Sequence, residues 1–403
     1  MLYGTTSAFI MPRLKTALAL LYTNFIEMDV LVEGVKLSNV HVHNIDTSEY
    51  QQLINSAVLF GTGRFGLIYR TDWRDRTVAI KTFVGPSSDV GRQRNELLFH
   101  AIANHPNIVR ILAAGPDFPK RCQFYMMEYA TGSSLNEVLY EFPDVSYTLA
   151  HSISWTSQVA QGADYLHRIC TPRLCHGDLK PANMLVFDQG RLVKLTDFGS
   201  AGPLSQTTEQ TPRPLTPVYT APEIAYLKAV MPLVYTEKCD VYSLAISFWE
   251  FLARRRPFED QSRPTFWNLF NRRPSVLRGC PEDLWSICES GWAEDPTSRP
   301  TMIQIVEFLE FVLQKILLKT TGTLAPLSLP VSLPPCTNDS PQDSWPPECD
   351  PSNLPLTSQH DSSEVCRHVQ ASERKDTSSD ISADTQPQRE LDPLTVSCDF
   401  ETE

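Results

Sequence analysis

Residues that could bind phosphate groups and metal ions occur in a fixed order in the first three quarters of the chain. They are Gly61-Thr62-Gly63-Arg64-Phe65-Gly66, Val78-Ala79-Ile80-Lys81, His176-Gly177-Asp178-Leu179-Lys180-Pro181-Ala182-Asn183, Asp197-Phe198-Gly199 and Ala221-Pro222-Glu223. Backbone amides and lysines suit phosphate oxygens, whereas carboxylate and amide oxygens suit Mg²⁺. The set favours transfer of a phosphoryl group from a nucleotide, because that reaction needs positioning and charge neutralisation from many separate segments.

The glycine-rich motif at residues 61–66 predicts a loop that covers nucleotide phosphates. Its glycines lie between two predicted strands, which argues against a Rossmann or Walker loop, since a helix should begin directly after either of those. We expect backbone amides of the motif to contact the phosphates, with Phe65 at the tip as a lid. The residues expected to bind the nucleotide from this part of the chain are Gly61, Thr62, Gly63, Arg64, Phe65, Gly66, Ile68 and Ala79.

Lys81, at the end of the second motif, is expected to neutralise the α- and β-phosphates of the nucleotide. A buried ammonium group needs an anionic partner. The helix predicted for residues 91–104 offers Glu96, nine residues before His105. We therefore predict an ion pair between Lys81 and Glu96; the alternative is that Glu96 is a solvated carboxylate on the surface of that helix.

The motifs at residues 176–183 and 197–199 carry the groups expected to act on the transferred phosphate. Asp178 would accept or orient the proton of the acceptor hydroxyl, and Lys180 would neutralise the γ-phosphate during transfer. Asn183 and Asp197 offer oxygen ligands to Mg²⁺, with Asp197 as the main metal carboxylate. Either Asp-x-Lys or Asp-Phe-Gly alone is ordinary turn sequence, so the prediction depends on the complete set.

The elements that must position these residues follow two patterns along the chain. Short strand-like stretches separated by turns run from Leu53 to Glu128, interrupted by the helical pattern at residues 91–104. From Ser134 to Leu318 the apolar periodicity is mostly helical. The sequence thus predicts an α+β fold with two lobes, a small β-rich N-lobe with one main helix and a larger, mostly helical C-lobe, separated by a cleft near residues 128–132.

Residues 55–315 resemble a serine/threonine protein kinase, most closely the TGF-β-activated type of MAP kinase kinase kinase and next the Mos type. The matching stretches beyond the motifs above are Thr71-Asp72-Trp73-Arg74, Asn104-His105-Pro106-Asn107-Ile108-Val109, Met127-Glu128-Tyr129-Ala130, Tyr165-Leu166-His167, Glu237-Lys238-Cys239-Asp240-Val241 and Arg254-Arg255-Arg256-Pro257-Phe258. The resemblance implies a kinase domain at residues 51–319, with an N-lobe at 51–130 and a C-lobe at 131–319.

The resemblance also implies the ligands and the acceptor. ATP and Mg²⁺ would be the cofactors, Met127 would be the gatekeeper, and backbone groups of Glu128 and Ala130 would bind the adenine. Lys180 and the stretch at residues 216–219 favour serine or threonine over tyrosine as the acceptor. The implied partner is a protein substrate, in the closest case a MAP kinase kinase. An adaptor bound by the C-lobe or the tail is a further candidate, but the tail lacks the heptad-rich segment expected of the relative's adaptor-binding end, so the resemblance does not imply a shared adaptor.

Three further charged residues receive structural roles from the resemblance. Glu223 and Arg299 are expected to form a buried ion pair that anchors the peptide-binding loop. Asp240 is expected to brace the catalytic loop from a helix. Their replacement should disturb folding or loop order more than chemistry.

Gly177 stands where the family usually has an arginine that pairs with a phosphate on the activation loop. Loop phosphorylation therefore cannot act through that arginine in this chain. The activation loop still contains Thr207, Thr208 and Thr211 near the positions that are phosphorylated in the relative. They are candidate activating sites or, alternatively, polar loop residues without that role.

Composition limits the other functions. Residues 320–403 contain fifteen acidic and four basic residues, so most of the net charge of −12 lies there and a broad nucleic-acid or anionic-membrane surface is not expected. The ten cysteines form no CxxC pair, which indicates free thiols in a reducing compartment. The apolar run at residues 18–21 is too short to span a bilayer. We expect a cytoplasmic protein.

The two ends of the chain carry none of these motifs. We expect residues 1–50 to be an N-terminal extension of uncertain order. Residues 320–403 are rich in proline, serine and acidic side chains without periodicity, so they predict a disordered tail. The main alternative to a kinase is a pseudokinase scaffold that binds signalling partners without phosphoryl transfer. Retention of Lys81, Asp178 and Asp197 favours the enzyme.

Overall fold

The structure is a computed structural model that describes residues 25–32, 35–63, 66–83, 90–116, 123–204, 215–227, 234–259, 272–320, 322–330 and 401–402. A β-sheet with two helices is followed by a larger helical region, which confirms the predicted two-lobed α+β architecture. No helix among these residues combines the length and the apolar character needed to cross a membrane.

The N-lobe is built on a seven-stranded sheet with the strand order β1-β2-β6-β7-β5-β4-β3. Its strands are β1 (Phe25–Val32), β2 (Val35–Asn44), β3 (Val58–Gly63), β4 (Gly66–Trp73), β5 (Arg76–Phe83), β6 (Ile111–Gly115) and β7 (Phe124–Glu128). Neighbouring strands are antiparallel except β2 and β6, which are parallel. The central position of β5 holds Lys81 deep in the lobe, opposite Tyr125 of β7.

The first 50 residues contribute more structure than the sequence analysis expected. Strands β1 and β2 extend the sheet, and helix α1 (Thr47–Ser56) begins at Asp46, whose carboxylate accepts a hydrogen bond from the amide of Glu49. Val40 and Val42 are fully buried. Residues 25–32 and 35–44 therefore belong to the same sheet as the motif-bearing strands, while residues 1–24 lie outside the described part of the chain.

Helix α2 (Val90–Ile102) packs against the sheet, as its periodicity predicts. Leu97 and Leu98 are completely buried and Phe99 is nearly so. This packing fixes the helix face that carries Glu96 toward β5.

The C-lobe consists mainly of helices. They are α3 (Leu135–Tyr140), α4 (Leu149–Asp164), α5 (Pro222–Leu227), α6 (Glu237–Ala253), α7 (Glu282–Gly291) and α8 (Met302–Leu318), and α4 continues as a π-helical turn over Tyr165–Ile169. Helices α4 and α6 form the centre, where Trp155 packs edge-on against Phe251 and both are fully buried.

Short strands and 3₁₀ turns connect the helices and carry the site. The strands pair as β9 (Met184–Phe187) with β10 (Leu192–Leu195), β8 (Leu174–Cys175) with β11 (Gly202–Pro203), and β12 (Leu277–Arg278) with β13 (Glu401–Thr402). The 3₁₀ turns are Pro181–Asn183, Asp188–Gly190, Pro217–Tyr219 and Pro296–Ser298.

Residues 322–330, here named the C-terminal strap, lie in the region that the sequence predicted to be disordered. The structure packs them against the C-lobe: Leu327 is only 5% exposed, and its amide donates to the carbonyl of Gln189 at 2.7 Å. Apolar side chains two residues apart give the strap enough burial to order it. The remainder of the predicted disordered tail, apart from residues 401–402, lies outside the described residues.

Candidate active site

Lys81, Glu96 and Asp197 meet at the cleft. Lys81 Nζ lies 2.6 Å from Glu96 Oε1 and 3.2 Å from Asp197 Oδ1. Tyr125 also donates its hydroxyl to Glu96 Oε1 at 2.9 Å. The predicted Lys81–Glu96 ion pair is therefore present and buried, and the alternative of a solvated Glu96 is not.

The opposite charges in this cluster lie close enough to offset the effect of burial on the pKa values of Lys81 and Asp197. Burial alone would lower the pKa of Lys81, but the carboxylates of Asp197 and Glu96 raise it well above the usual range. Burial alone would raise the pKa of Asp197, yet the charges of Lys81 and Lys180 lower it to about 2. Lys81 is thus cationic and Asp197 anionic at neutral pH, as binding of phosphate and metal requires.

Asp178, Lys180 and Thr216 form a closed triangle beside this cluster. Lys180 Nζ lies 2.9 Å from Asp178 Oδ2 and donates to Thr216 Oγ1 at 2.7 Å. Thr216 Oγ1 in turn donates to Asp178 Oδ1 at 2.7 Å. Residues 216–219 were expected to favour a serine or threonine acceptor, but Thr216 itself was not predicted as a site residue, because its partners Asp178 and Lys180 lie 38 and 36 positions earlier in the chain.

Asn183 connects Asp178 to the segment that carries Asp197. Its side-chain amide donates to the backbone carbonyl of Asp178 at 2.8 Å and to Asp178 Oδ2 at 3.2 Å. Its backbone carbonyl accepts from the amide of Thr196 at 3.0 Å. Because the amide nitrogen is committed to Asp178, the remaining Asn183 oxygen is the atom left to face a ligand.

The donor set of Asn183 and Asp197 fits Mg²⁺. Mg²⁺ prefers oxygen ligands and is usually bound by one or two protein oxygens together with phosphate oxygens. An anionic carboxylate and an amide oxygen from adjacent segments meet that requirement. Both residues could therefore hold a metal ion.

Asp240 of α6 fixes the backbone of the catalytic loop. Its carboxylate accepts hydrogen bonds at 2.8 Å from the amides of His176 and Gly177 and from His167 Nε2. Burial alone would raise the pKa of Asp240, but the bond and charge of His167 outweigh it and lower the pKa to about 2. The bracing contact expected for Asp240 is thus present.

The residues expected to surround the adenine lie on β4, β5 and β7. Ala79 pairs with Met127, and both are buried, while Ile68 is half-buried on β4. The Glu128 side chain binds Lys194 at 2.7 Å, so only its backbone is available to a nucleotide. Ala130 follows as a buried residue.

The glycine-rich loop is described except at its tip. Thr62 pairs with Leu67, and Gly63 pairs with Gly66. A Cβ at Gly66 would lie 1.9 Å from the Thr82 carbonyl oxygen, so only glycine permits the approach of β4 to β5 there. By contrast, the nearest atom to a Cβ at Gly61 would be Ile68 Cβ at 3.9 Å. Arg64 and Phe65 lie outside the described residues.

Gly177 has a backbone φ of +77°, in the left-handed region that favours glycine. A Cβ at this position would lie 2.6 Å from the carbonyl oxygen of Ser200. Both the conformation and the space at this position favour glycine, and a larger residue would require the backbone at Ser200 to shift. The candidate phosphorylation sites Thr207, Thr208 and Thr211 lie outside the described residues.

The predicted pair between Glu223 and Arg299 is bidentate. The two guanidinium nitrogens lie 2.7 and 2.8 Å from the carboxylate oxygens, and Arg299 is 2% exposed. Arg299 also donates to the carbonyls of Ala293 and Lys238. This network joins Glu223, at the start of α5, to Lys238 at the start of α6 and to the segment between α7 and α8.

His100, which lies one helical turn after Glu96, was not predicted from the sequence. It is buried and stacks on Phe198 of the Asp197-Phe198-Gly199 motif. Histidine in a helix interior carries no distinctive sequence signal. Only its four-residue spacing from Glu96, on the same face of α2, could have indicated it.

The two lobes, the lysine–carboxylate cluster and the Asp178 triangle define the class of protein. The family model described as protein kinase domain matches residues 54–309. The chain therefore belongs to the protein kinase family, which confirms the sequence-based assignment.

Individual relatives of this chain carry the name mitogen-activated protein kinase kinase kinase 7 or 7-like. Mitogen-activated protein kinase kinase kinase 7 of Homo sapiens is 34% identical over 278 residues, which cover 68% of this chain and 44% of the relative. The Drosophila melanogaster protein of that name is 33% identical over 251 residues, or 61% of this chain and 35% of the relative. A putative mitogen-activated protein kinase kinase kinase 7-like protein of the same fly is 28% identical, covering 65% of this chain and 66% of the relative. This chain spans less than half the length of the human protein it matches.

Proposed function

We propose that this chain is an ATP- and Mg²⁺-dependent serine/threonine protein kinase that acts as a MAP kinase kinase kinase. The observation that carries the proposal is the triangle of Asp178, Lys180 and Thr216. Asp178 Oδ1 accepts a hydrogen bond from a threonine hydroxyl at 2.7 Å. A carboxylate so placed can also orient the hydroxyl of a serine or threonine substrate.

The other site residues would bind the nucleotide and the metal ion and act on the acceptor hydroxyl. The backbone of residues 61–66 and Lys81 would hold the nucleotide phosphates, and Glu96 would hold Lys81 in place. Asn183 and Asp197 would bind Mg²⁺, which when present neutralises charge on the phosphate oxygens. Asp178 would orient the acceptor hydroxyl and take its proton, while Lys180 would stabilise negative charge on the transferred group.

The contacts of Lys81 favour this function over a pseudokinase scaffold. Lys81 lies 2.6 Å from Glu96 and 3.2 Å from Asp197, so the phosphate-binding and metal-binding groups are already assembled. A scaffold does not need this arrangement. The names of the relatives support a position upstream in a MAP kinase cascade.

A direct assay tests the catalytic part of the proposal. The full chain is incubated with Mg²⁺, labelled ATP and a generic acceptor protein, beside Lys81→Met and Asp197→Asn variants. Lys319→Met, a change at an exposed lysine, serves as the matched control. We expect label on serine or threonine that the first two variants abolish and the control retains. Mg-ATP binding without any transfer would favour the scaffold.

The proposed position in a MAP kinase cascade is tested with a MAP kinase kinase as the substrate. A catalytically inactive MAP kinase kinase should be labelled by the full chain on activation-loop serine or threonine, and other inactive kinases should not. Equal labelling of unrelated kinases would contradict the proposed position in the cascade without affecting the assignment as a kinase.

Activation-loop phosphorylation is a separate hypothesis. Because Gly177 replaces the phosphate-pairing arginine, Thr207, Thr208 and Thr211 would have to act through other contacts. Activity of the Thr207→Ala/Thr208→Ala/Thr211→Ala variant decides the question, and unchanged activity would end the hypothesis.

A further inference from the structure

The C-terminal strap occupies a groove on the C-lobe that has the properties of a peptide-binding site. The groove lies between the start of α4 and the β9–β10 turn, and its defining residues are Gly132, His151, Trp155, Val186 and Gly190. It is distinct from the cluster around Asp178 and Asp197.

In the groove, the strap is held through the backbone of Ala325 and Leu327. His151 Nε2 lies 2.9 Å from the Ala325 carbonyl oxygen, and the Leu327 amide donates to the Gln189 carbonyl at 2.7 Å. The amide of Thr148 donates to His151 Nδ1, which leaves the proton on Nε2 for the strap. Backbone bonds of this kind bind an extended segment whatever its side chains.

Two leucines provide the side-chain contacts, and both rest over glycines. A Cβ at Gly190 would lie 2.5 Å from Leu327 Cδ1, and one at Gly132 would lie 2.8 Å from Leu329 Cδ1. The two pockets exist because these two residues have no side chain. Ser328, between the leucines, is exposed. The groove therefore selects leucines two positions apart in an extended chain.

The walls of the groove are fixed by contacts that do not involve the strap. Trp155 Nε1 donates to the Gly190 carbonyl at 2.7 Å from a fully buried ring. The amide of Gly132 donates to the Val186 carbonyl at 3.0 Å. A site held by such contacts is preorganised for its ligand.

We propose that this groove is a docking site for extended protein segments with the pattern Leu-x-Leu, and that the strap is its intramolecular ligand. The contacts that join the strap to the groove among the described residues are few, mainly those of Ala325, Leu327 and Leu329. Tethering at a high effective concentration therefore favours the strap as the occupant. A partner segment with the same pattern then competes with the strap for the groove.

The first experiment tests whether the strap is an intramolecular ligand of the groove, by releasing it through substitution. In the full chain, Leu327→Asp/Leu329→Asp puts charges into both apolar pockets, while Ser328→Asp puts the same charge on the exposed position between them. Hydrogen exchange is followed by mass spectrometry in peptides covering residues 322–330 and 186–191. We expect at least tenfold faster exchange in both regions of the double variant and no change in the control. Unchanged exchange in the double variant would overturn the proposal.

The second experiment tests whether a separate segment with the pattern Leu-x-Leu binds the groove. A fluorescent peptide of residues 322–331 should bind the double variant at least ten times more tightly than it binds the wild type or Ser328→Asp, because the tethered strap blocks the groove in those chains. A peptide with aspartate at both leucine positions should not bind, and one with aspartate at the serine position should.

Two results would contradict the docking site. One is equal binding of the peptide to all three chains, or to none. The other is loss of cooperative unfolding in the double variant, which would show that the strap is a fixed part of the core. Phosphoryl transfer is not a readout in either experiment, so failure here leaves the proposed kinase function untouched.

Discussion

The His100 ring lies flat against the Phe198 ring, with centroids 4.4 Å apart and planes inclined by 15°. His100 Nε2 is also 2.6 Å from the Val109 carbonyl oxygen, and the Val109 amide donates to the Leu195 carbonyl at 2.8 Å. Leu195 precedes Asp197 by two residues. His100 of α2 is thus connected to the segment that carries Asp197 in two ways: through hydrogen bonds by way of Val109 and Leu195, and through its stacking on Phe198.

Removing the hydrogen bond between His100 and Val109 should reduce the rate of catalysis, because Asp197 would be held less accurately. Burial lowers the pKa of His100 to about 3, so the ring is neutral and donates one hydrogen bond through Nε2. His100→Phe retains the stacking but loses the bond. We expect kcat to fall about tenfold, equivalent to about 1.4 kcal/mol, and the Mg²⁺ requirement to rise.

His151→Phe is the matched control for that experiment. It also removes a buried histidine that bonds to a backbone carbonyl, but at the groove of the strap. We expect a similar decrease in thermal stability with kcat unchanged. Equal losses of kcat in the two variants would mean that His100 contributes only to stability.

Asp240 should make folding stability depend on pH in the acid range. Its pKa is lowered from 3.8 to about 2 in the folded protein, which corresponds to about 2 kcal/mol of stability. A lowered carboxyl pKa stabilises the fold fully above the unfolded pKa, and the contribution is lost as pH falls through the folded pKa. Asp240→Asn should therefore unfold at lower urea at pH 7, with the difference from wild type shrinking between pH 4 and pH 2.

Asp283→Asn, at an exposed position, serves as the control for Asp240. It should leave the urea midpoint at pH 7 within error of the wild type. A difference between wild type and Asp240→Asn that is constant across the acid range would exclude the linkage to ionisation of Asp240.

Removing one partner of the Glu223–Arg299 pair should be more harmful than removing both. Glu223→Gln leaves a buried guanidinium without its carboxylate, which typically costs about 3 kcal/mol or more. The double variant Glu223→Gln/Arg299→Met avoids that unpaired charge. Urea unfolding of the two single variants and the double variant should therefore give a coupling energy; additive effects would show that the pair is not coupled.

Deletion of residues 1–44 should destabilise the N-lobe, although these residues carry none of the catalytic motifs. It removes β1 and β2, including the fully buried Val40 and Val42, and exposes the edge of β6. Two buried valines correspond to about 3 kcal/mol. We expect a Tm lower by several degrees and a tendency to aggregate through the free strand edge.

A deletion of residues 1–24 alone provides the comparison, because it leaves both strands in place. The Tm of the longer deletion should lie several degrees below that of the shorter one. If the two deletions have the same Tm, the two strands contribute nothing to the stability of the N-lobe.

The sequence predicted those parts of the site whose residue types have a fixed spacing. Lys81, Asp178, Asn183 and Asp197 lie in short motifs, and the lobe that each belongs to follows from local periodicity. Glu96 was predicted from the need of a buried lysine for an anion and from its place nine residues before His105, and the structure contains that ion pair.

The contacts that the sequence did not predict are formed between distant segments. His100 was missed because its importance depends on Phe198, 98 positions later, and nothing in either local sequence indicates the other. Thr216 was missed as a site residue for the same reason. The strap was expected to be disordered because it lies in a tail, residues 320–403, that is rich in proline, serine and acidic side chains. In the structure Leu327 and Leu329 pack opposite Gly190 and Gly132, which that composition did not indicate.

The glycine at position 177 also limits which residues can be introduced there by design. With a φ of +77° and the Ser200 carbonyl oxygen 2.6 Å from where a Cβ would be, any larger residue requires the backbone at Ser200 to shift. An engineered Gly177→Arg variant should therefore disturb the catalytic loop before the new side chain could reach a phosphate. Installing an arginine-dependent switch in this chain would require a second, accommodating change near Ser200.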